Sequence, residues 1–64
     1  MKVWKVKDMI RYIESDGWYF VGQKGSHRQF KHPVKAGRVT VPGSLNDDLP
    51  GGTSKSVLKQ AGLE

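Results

Sequence analysis

The chain has no cysteine, so neither disulfides nor thiolate-bound metal can support it, and the hydrophobic core must hold the fold alone. It also has no long apolar run. Lys2, Lys5, Lys7 and Asp8 interrupt the start MKVWKVKDMI, so neither a signal segment nor a membrane span is expected, and the chain reads as soluble and cytoplasmic with no membrane partner. The most telling absence is of acid in the middle. From Gly17 to Asn46 there is no Asp or Glu but five cations, Lys24, Arg28, Lys31, Lys35 and Arg38, while the acids stand at Asp8, Glu14, Asp16, Asp47, Asp48 and Glu64. A net charge of +5 on 64 residues implies a positive potential that polyanions feel. A chain this short buries only about 60% of the surface its unfolded form exposes, which leaves room for one domain, one small core and no deep pocket. That domain is expected to span residues 1–64.

Periodicity supplies the elements. Val6, Met9, Ile10 and Ile13 recur at i, i+3, i+4 and i+7 with Lys7, Arg11 and Glu14 on the other side, the stripe of an amphipathic helix over residues 6–16, and Gly17 ends it. WYFVGQ (18–23) reads as a strand, Lys24, Gly25 and Ser26 as a turn, and HRQFKH (27–32) as a second strand stopped by Pro33. VKAG is a loop, and RVTV (38–41) a third strand stopped by Pro42. GSLNDDLPGGT is an irregular connection that holds Asp47 and Asp48, with Thr53 as the expected N-cap of a last helix, SKSVLKQAG, which buries Val57, Leu58 and Ala61 and closes at Gly62. The order helix-strand-strand-strand-helix is an α+β domain around a three-stranded antiparallel meander.

Strand alternation sorts the side chains of residues 27–32. Phe30, with Arg28 and His32 in phase, should turn toward the helices, and His27, Gln29 and Lys31 should point the opposite way; a bulge near Gly25 would reverse this. Arg28 must then reach outward at the rim. His32, just before Pro33, suits a structural hydrogen bond at the strand end. The two histidines fall on opposite faces and no carboxylate cluster accompanies them, so no metal or other cofactor is expected. His27 is expected to be exposed between a glycine turn and a cationic strand. On the residues alone it is either a polar hairpin position without a role or a proton-transfer group beside a bound phosphate, with Lys24, Arg28, Lys31 and Arg38 as phosphate contacts. Trp18, Tyr19, Phe20 and Phe30 divide between core and a base-stacking platform.

DGWYFVGQKGSHRQFKHP, GRVTVP and LPGGTSKSVLKQAG, in that order and spacing, closely resemble the HicA toxin family over Val6 to Leu63. The resemblance implies a fold like the double-stranded-RNA-binding domain, with two helices on one face of the sheet. It implies a metal-independent RNA endonuclease that cleaves mRNA and is silenced by a HicB-like antitoxin covering the active site. The family's catalytic histidine, in its GSH motif, maps onto His27, and Lys24, Ser26, Arg28, Lys31 and Arg38 are the expected RNA contacts. The free toxin is expected to be a monomer. Two departures stand out: Gly43 and Ser44 occupy the place after Val-Pro where many members carry a histidine, and Ser54 stands where many carry a bulky aliphatic residue, a loss expected to loosen the last helix slightly. Rival readings are a non-catalytic RNA-binding module of the same fold and a protein-interaction domain whose cationic face serves an acidic partner.

Overall fold

The computed structural model of the chain describes residues 3–64; Met1 and Lys2 lie outside the described residues. The elements are α1 (Val6–Ser15), β1 (Tyr19–Lys24), β2 (His27–Lys31), β3 (Val39–Val41) and α2 (Gly51–Gln60). The three strands form one antiparallel sheet in the order β1-β2-β3. Val6, Met9 and Ile13 of α1, Phe30, Val39 and Val41 of the sheet, and Val57 of α2 with Ala61 just after it share a single core with Trp18 and Leu49. Both helices therefore cover the same face of the sheet. This is the α+β architecture expected, with the arrangement of the double-stranded-RNA-binding domain.

α1 ends as its sequence predicts, at Asp16 with Gly17 next, and Gly17 takes φ +108°. A Cβ there would stand 2.7 Å from His32 Nε2, so glycine is required for both conformation and space. The start of α1 has no side-chain cap. Its free N–H groups are satisfied from far away: Val6 N–H donates to the Asp47 carbonyl (2.9 Å) and Lys7 N–H to that of Leu45 (3.0 Å). A Lys5–Asp48 bridge, with an ion pair at 3.1 Å, and a bond from Leu49 N–H to the Trp4 carbonyl (2.7 Å) hold this loop against the helix. The irregular stretch before α2 thus serves as the cap of α1.

Two expectations need correction at element boundaries, and one contingency is settled. α2 begins at Gly51 with Pro50 as its N-cap and no side-chain cap bond, so Thr53 lies inside the first turn. Proline has the extended φ an N-cap can use, and Gly51 and Gly52 are tolerated because packing rather than propensity holds the helix. The sheet does carry a bulge, but between Phe20 and Gly22 in β1 rather than near Gly25. The register of β2 is therefore undisturbed. Trp18 precedes β1 and is core, at 2% exposure, with its indole N–H donating to the Ala61 carbonyl at 3.3 Å. Ser54 is buried, and its hydroxyl donates back to the Gly51 carbonyl at 3.0 Å, so the departure from a bulky residue leaves no unsatisfied polar group there.

The helix ends meet at His32. Its Nδ1 accepts the N–H groups of Val34 and Lys35, both at 3.0 Å, so the ring proton sits on Nε2 and is donated to the Asp16 carbonyl at 2.6 Å. Lys35 reaches the Asp16 carboxylate at 2.6 Å and the Ala61 carbonyl at 3.0 Å, which places a cation on the carbonyl end of α2. The hydrogen bond from Lys35, opposed by burial and aided by the charge of the same lysine, lowers the Asp16 pKa below its ordinary value of 3.8. A carboxylate with a lowered folded-state pKa contributes stability that is present above its unfolded pKa and lost as pH falls through the folded one. We therefore expect Asp16→Asn to be less stable than wild type near neutral pH. The difference should close as pH falls below the ordinary carboxylate value, in thermal melts across an acid series; a gap unchanged with pH would refute the assignment.

Candidate active site

The β1–β2 hairpin turns on Gly25 and Ser26. Gly25 takes φ +59° while Ser26 does not have positive φ, the pattern of a type II′ turn, which calls for glycine at its first central position. Gln23 Nε2–H donates to the Gly25 carbonyl at 2.9 Å and pins the turn. Lys24 and His27 flank it as a Cα pair. Below them on the same face lie the pair Gly22 and Gln29, with Thr40 of β3 opposite Gln29, and then the pair Tyr19 and Lys31. No helix covers this face.

His27 is exposed as expected, at the first position of β2. Among the described residues its ring has no hydrogen bond or ion pair. The contrast with His32 is plain: one imidazole has both nitrogens committed to the fold, and the other has neither. Lys24 and Lys31 are exposed on His27's face, and Ser26 is exposed in the turn. Arg38 is exposed just before β3, and continuing the Phe30–Val39 register by one residue sets it in line with Lys31. Arg28 goes elsewhere. It pairs with Val41 on the helix-covered face, and its guanidinium donates to the Gly43 carbonyl at 2.8 Å from the rim. Lys35, bound to Asp16 and Ala61, is likewise committed to the fold. Gln29 and Thr40 were not singled out from the sequence, although Gln29 shares His27's parity on β2. The Thr40 hydroxyl donates to Gln29 Oε1 at 2.9 Å, which turns the Gln29 amide NH2 outward as a donor.

A depression of about 310 Å³ lies elsewhere, between the starts of the two helices, and is lined by residues including Val6, Pro42, Gly43, Asp47 and Asp48. Its two acids make it a poor seat for phosphate. Among the described residues no three His, Asp or Glu side chains cluster as a metal site, and no helix is long and apolar enough to cross a membrane.

Fold and site together define a small α+β domain that leaves one sheet face open, cationic and carrying an uncommitted histidine. Residues 6–63 match the family model described as the HicA toxin of bacterial toxin-antitoxin, and the chain belongs to that family. None of the curated proteins matches it. Membership places the chain in a toxin–antitoxin module, whose other member is a HicB-like antitoxin.

The difference between the two histidines can be measured directly. We expect diethyl pyrocarbonate to modify His27 in the folded protein and spare His32, read by mass spectrometry of peptides. Equal modification of both under conditions that keep the protein folded would contradict the network around His32.

Proposed function

We infer that the chain is a metal-independent RNA endonuclease acting on mRNA, with His27 as its catalytic residue. The observation that carries this reading is an imidazole with no structural duty, displayed beside Lys24 on the open face of a family toxin. Cleavage without a metal can use the substrate's own 2′-hydroxyl. The 2′ oxygen forms a bond to the adjacent phosphorus, the bond from phosphorus to the 5′ oxygen breaks, and the products are a 2′,3′-cyclic phosphate and a 5′-hydroxyl. One proton leaves the 2′-hydroxyl and one reaches the departing oxygen. Histidine suits the first transfer because both of its protonation forms are accessible around neutral pH, and water supplies the second. Lys24, cross-strand from His27, offsets charge that builds on the phosphate in the transition state. Ser26 and its backbone offer further donors at the turn, and Lys31 and Arg38 hold the strand further along. One copy supplies each of these groups, so a monomer suffices for the reaction, and the cytoplasm, where mRNA is met, is where it would act.

The HicB-like antitoxin inhibits by covering His27. A partner burying a standard ~800 Å² per side on so small a domain must take either the open sheet face or the helices, and only the first blocks catalysis directly. Acidic side chains on the partner facing Lys24 and Lys31 would speed capture.

Purified protein incubated with RNA in EDTA should produce fragments with cyclic phosphate ends. His27→Ala should lower the rate by about 10²- to 10⁴-fold while changing stability by less than about 0.5 kcal/mol, as expected at an exposed position. Binding by that variant without cleavage by wild type would favour a non-catalytic RNA-binding module, and neither binding nor cleavage would favour a protein-interaction domain.

The face assignment makes a second demand. Lys24→Ala and Lys31→Ala should each reduce the slope of log affinity against log salt by about one, as loss of a phosphate contact requires. Arg28→Ala should leave that slope nearly unchanged, and a larger effect from Arg28 would place the RNA on the wrong side of the sheet.

A further inference from the structure

We propose that Tyr19 is a base-stacking subsite for single-stranded RNA, holding the base of a nucleotide outside the scissile step, and that Gly22 keeps the path between Tyr19 and His27 open. The proposal rests on the endonuclease reading and adds a ligand contact that the catalytic argument does not need.

Tyr19 is the first residue of β1, and its Cα partner is Lys31. It therefore shares a face with Lys31 and, by alternation along β2, with Gln29 and His27. The other aromatic rings have ring partners, and the half-exposed Phe20 stands opposite Phe30 on the helix side of the sheet. Trp18 meets His32 edge-on at 5.2 Å, Phe20 meets Phe30 at 6.0 Å, and Trp4 lies 5.2 Å from Tyr12. Of the aromatic side chains among the described residues, Tyr19 alone makes neither a ring contact nor a side-chain hydrogen bond, and it is 49% exposed. A half-exposed ring beside a lysine gives a base its stacking surface and the attached phosphate a counter-charge.

Gly22 is the second, independent observation. It sits opposite Gln29, in the row between Tyr19 and His27. Its φ is not positive, so the bulge next to it does not demand glycine, and nothing lies within 4 Å of where a Cβ would stand. Neither a positive φ nor a neighbouring atom requires a glycine there. Close approach of another chain does. The row also offers the Gln29 amide NH2, oriented by Thr40. His27 and Lys31 are four residues apart on β2, or ~13 Å along the strand. That exceeds one nucleotide step, so a base stacked on Tyr19 lies beyond the nucleotides flanking the cut. With a single exposed ring among Lys24, Gln29, Lys31 and Thr40, the path is too polar to form the apolar centre of a protein interface and suits a strand of bases and phosphates.

The test uses full-length protein carrying His27→Ala, so that RNA stays intact, and measures anisotropy of a labelled single-stranded oligoribonucleotide containing a mapped wild-type cleavage position. Adding Tyr19→Ala should weaken binding on the order of 5- to 150-fold, whereas Tyr19→Phe and Tyr19→Trp should stay near the parent. Gly22→Val should weaken binding while holding or raising the melting temperature, since valine favours a strand. An oligonucleotide with one abasic position, moved stepwise from the cut, should show one position whose loss matters to the parent and not to the Tyr19→Ala protein. If the parent binds RNA and Tyr19→Ala binds equally well, the subsite is wrong and the endonuclease reading survives. If Tyr19→Ala keeps RNA affinity but loses the cognate antitoxin, the ring is a protein contact and the proposal is overturned. No RNA binding by the parent, with no cleavage by wild type, overturns both.

Discussion

The fork of hydrogen bonds at His32 is the constraint on which the rest of the structure depends. A single ring accepts two backbone N–H groups of the loop after β2 and donates to the backbone at the end of α1. Its edge contact with Trp18 and the reach of Lys35 bring in the end of α2. Three chain segments distant in sequence, at Asp16–Trp18, His32–Lys35 and Ala61, are tied at one part-buried point. Such a network is worth having only if every member is satisfied, and among the described residues no buried side-chain polar atom lacks a partner. Gly17 is the concession the joint requires, since any side chain there would collide with the ring.

Because both helices are drawn to one face, the other is left bare, and the proposed chemistry rests on that asymmetry. With alternating side chains, β2 sends Phe30 into the core and His27 and Lys31 into solvent. A cation that lands on the covered side, Arg28, is spent on the Gly43 carbonyl at the rim. The positive middle of the sequence is thereby divided between a structural set and an exposed set. Only the exposed set surrounds the histidine that the fold does not use.

The loop ahead of α2 shows how a stretch without periodicity can still be structural. It supplies the carbonyls that cap α1 and the aspartates that hold the loop closed, Asp47 accepting from Ser44 N–H at 3.1 Å and Asp48 pairing with Lys5. Gly43, with φ +92°, lies where a Cβ would stand 3.2 Å from Val6. The place where many family members have a histidine is therefore a packed turn against α1 in this chain, on the helix side of the sheet and away from His27.

The elements, their order and the inward and outward faces of β2 were legible in the sequence, because each depends on local spacing: a 3.6-residue stripe, a two-residue alternation, and glycines at helix ends. The same alternation separated His27 from His32, and the GSH motif supplied the role proposed for the first. Helix starts were not legible. α1 is capped by backbone from more than thirty-five residues away and α2 begins on a proline without a side-chain cap, so no local residue announces either one. Nor could four adjacent apolar residues, Trp18 to Val21, be sorted by pattern alone. A bulge, a helix terminus and a sheet edge decide among them, sending Trp18 into the core and leaving Tyr19 in the open. Local order is encoded in neighbours along the chain, whereas caps, bulges and exposed faces are settled by segments that meet only when the chain has folded.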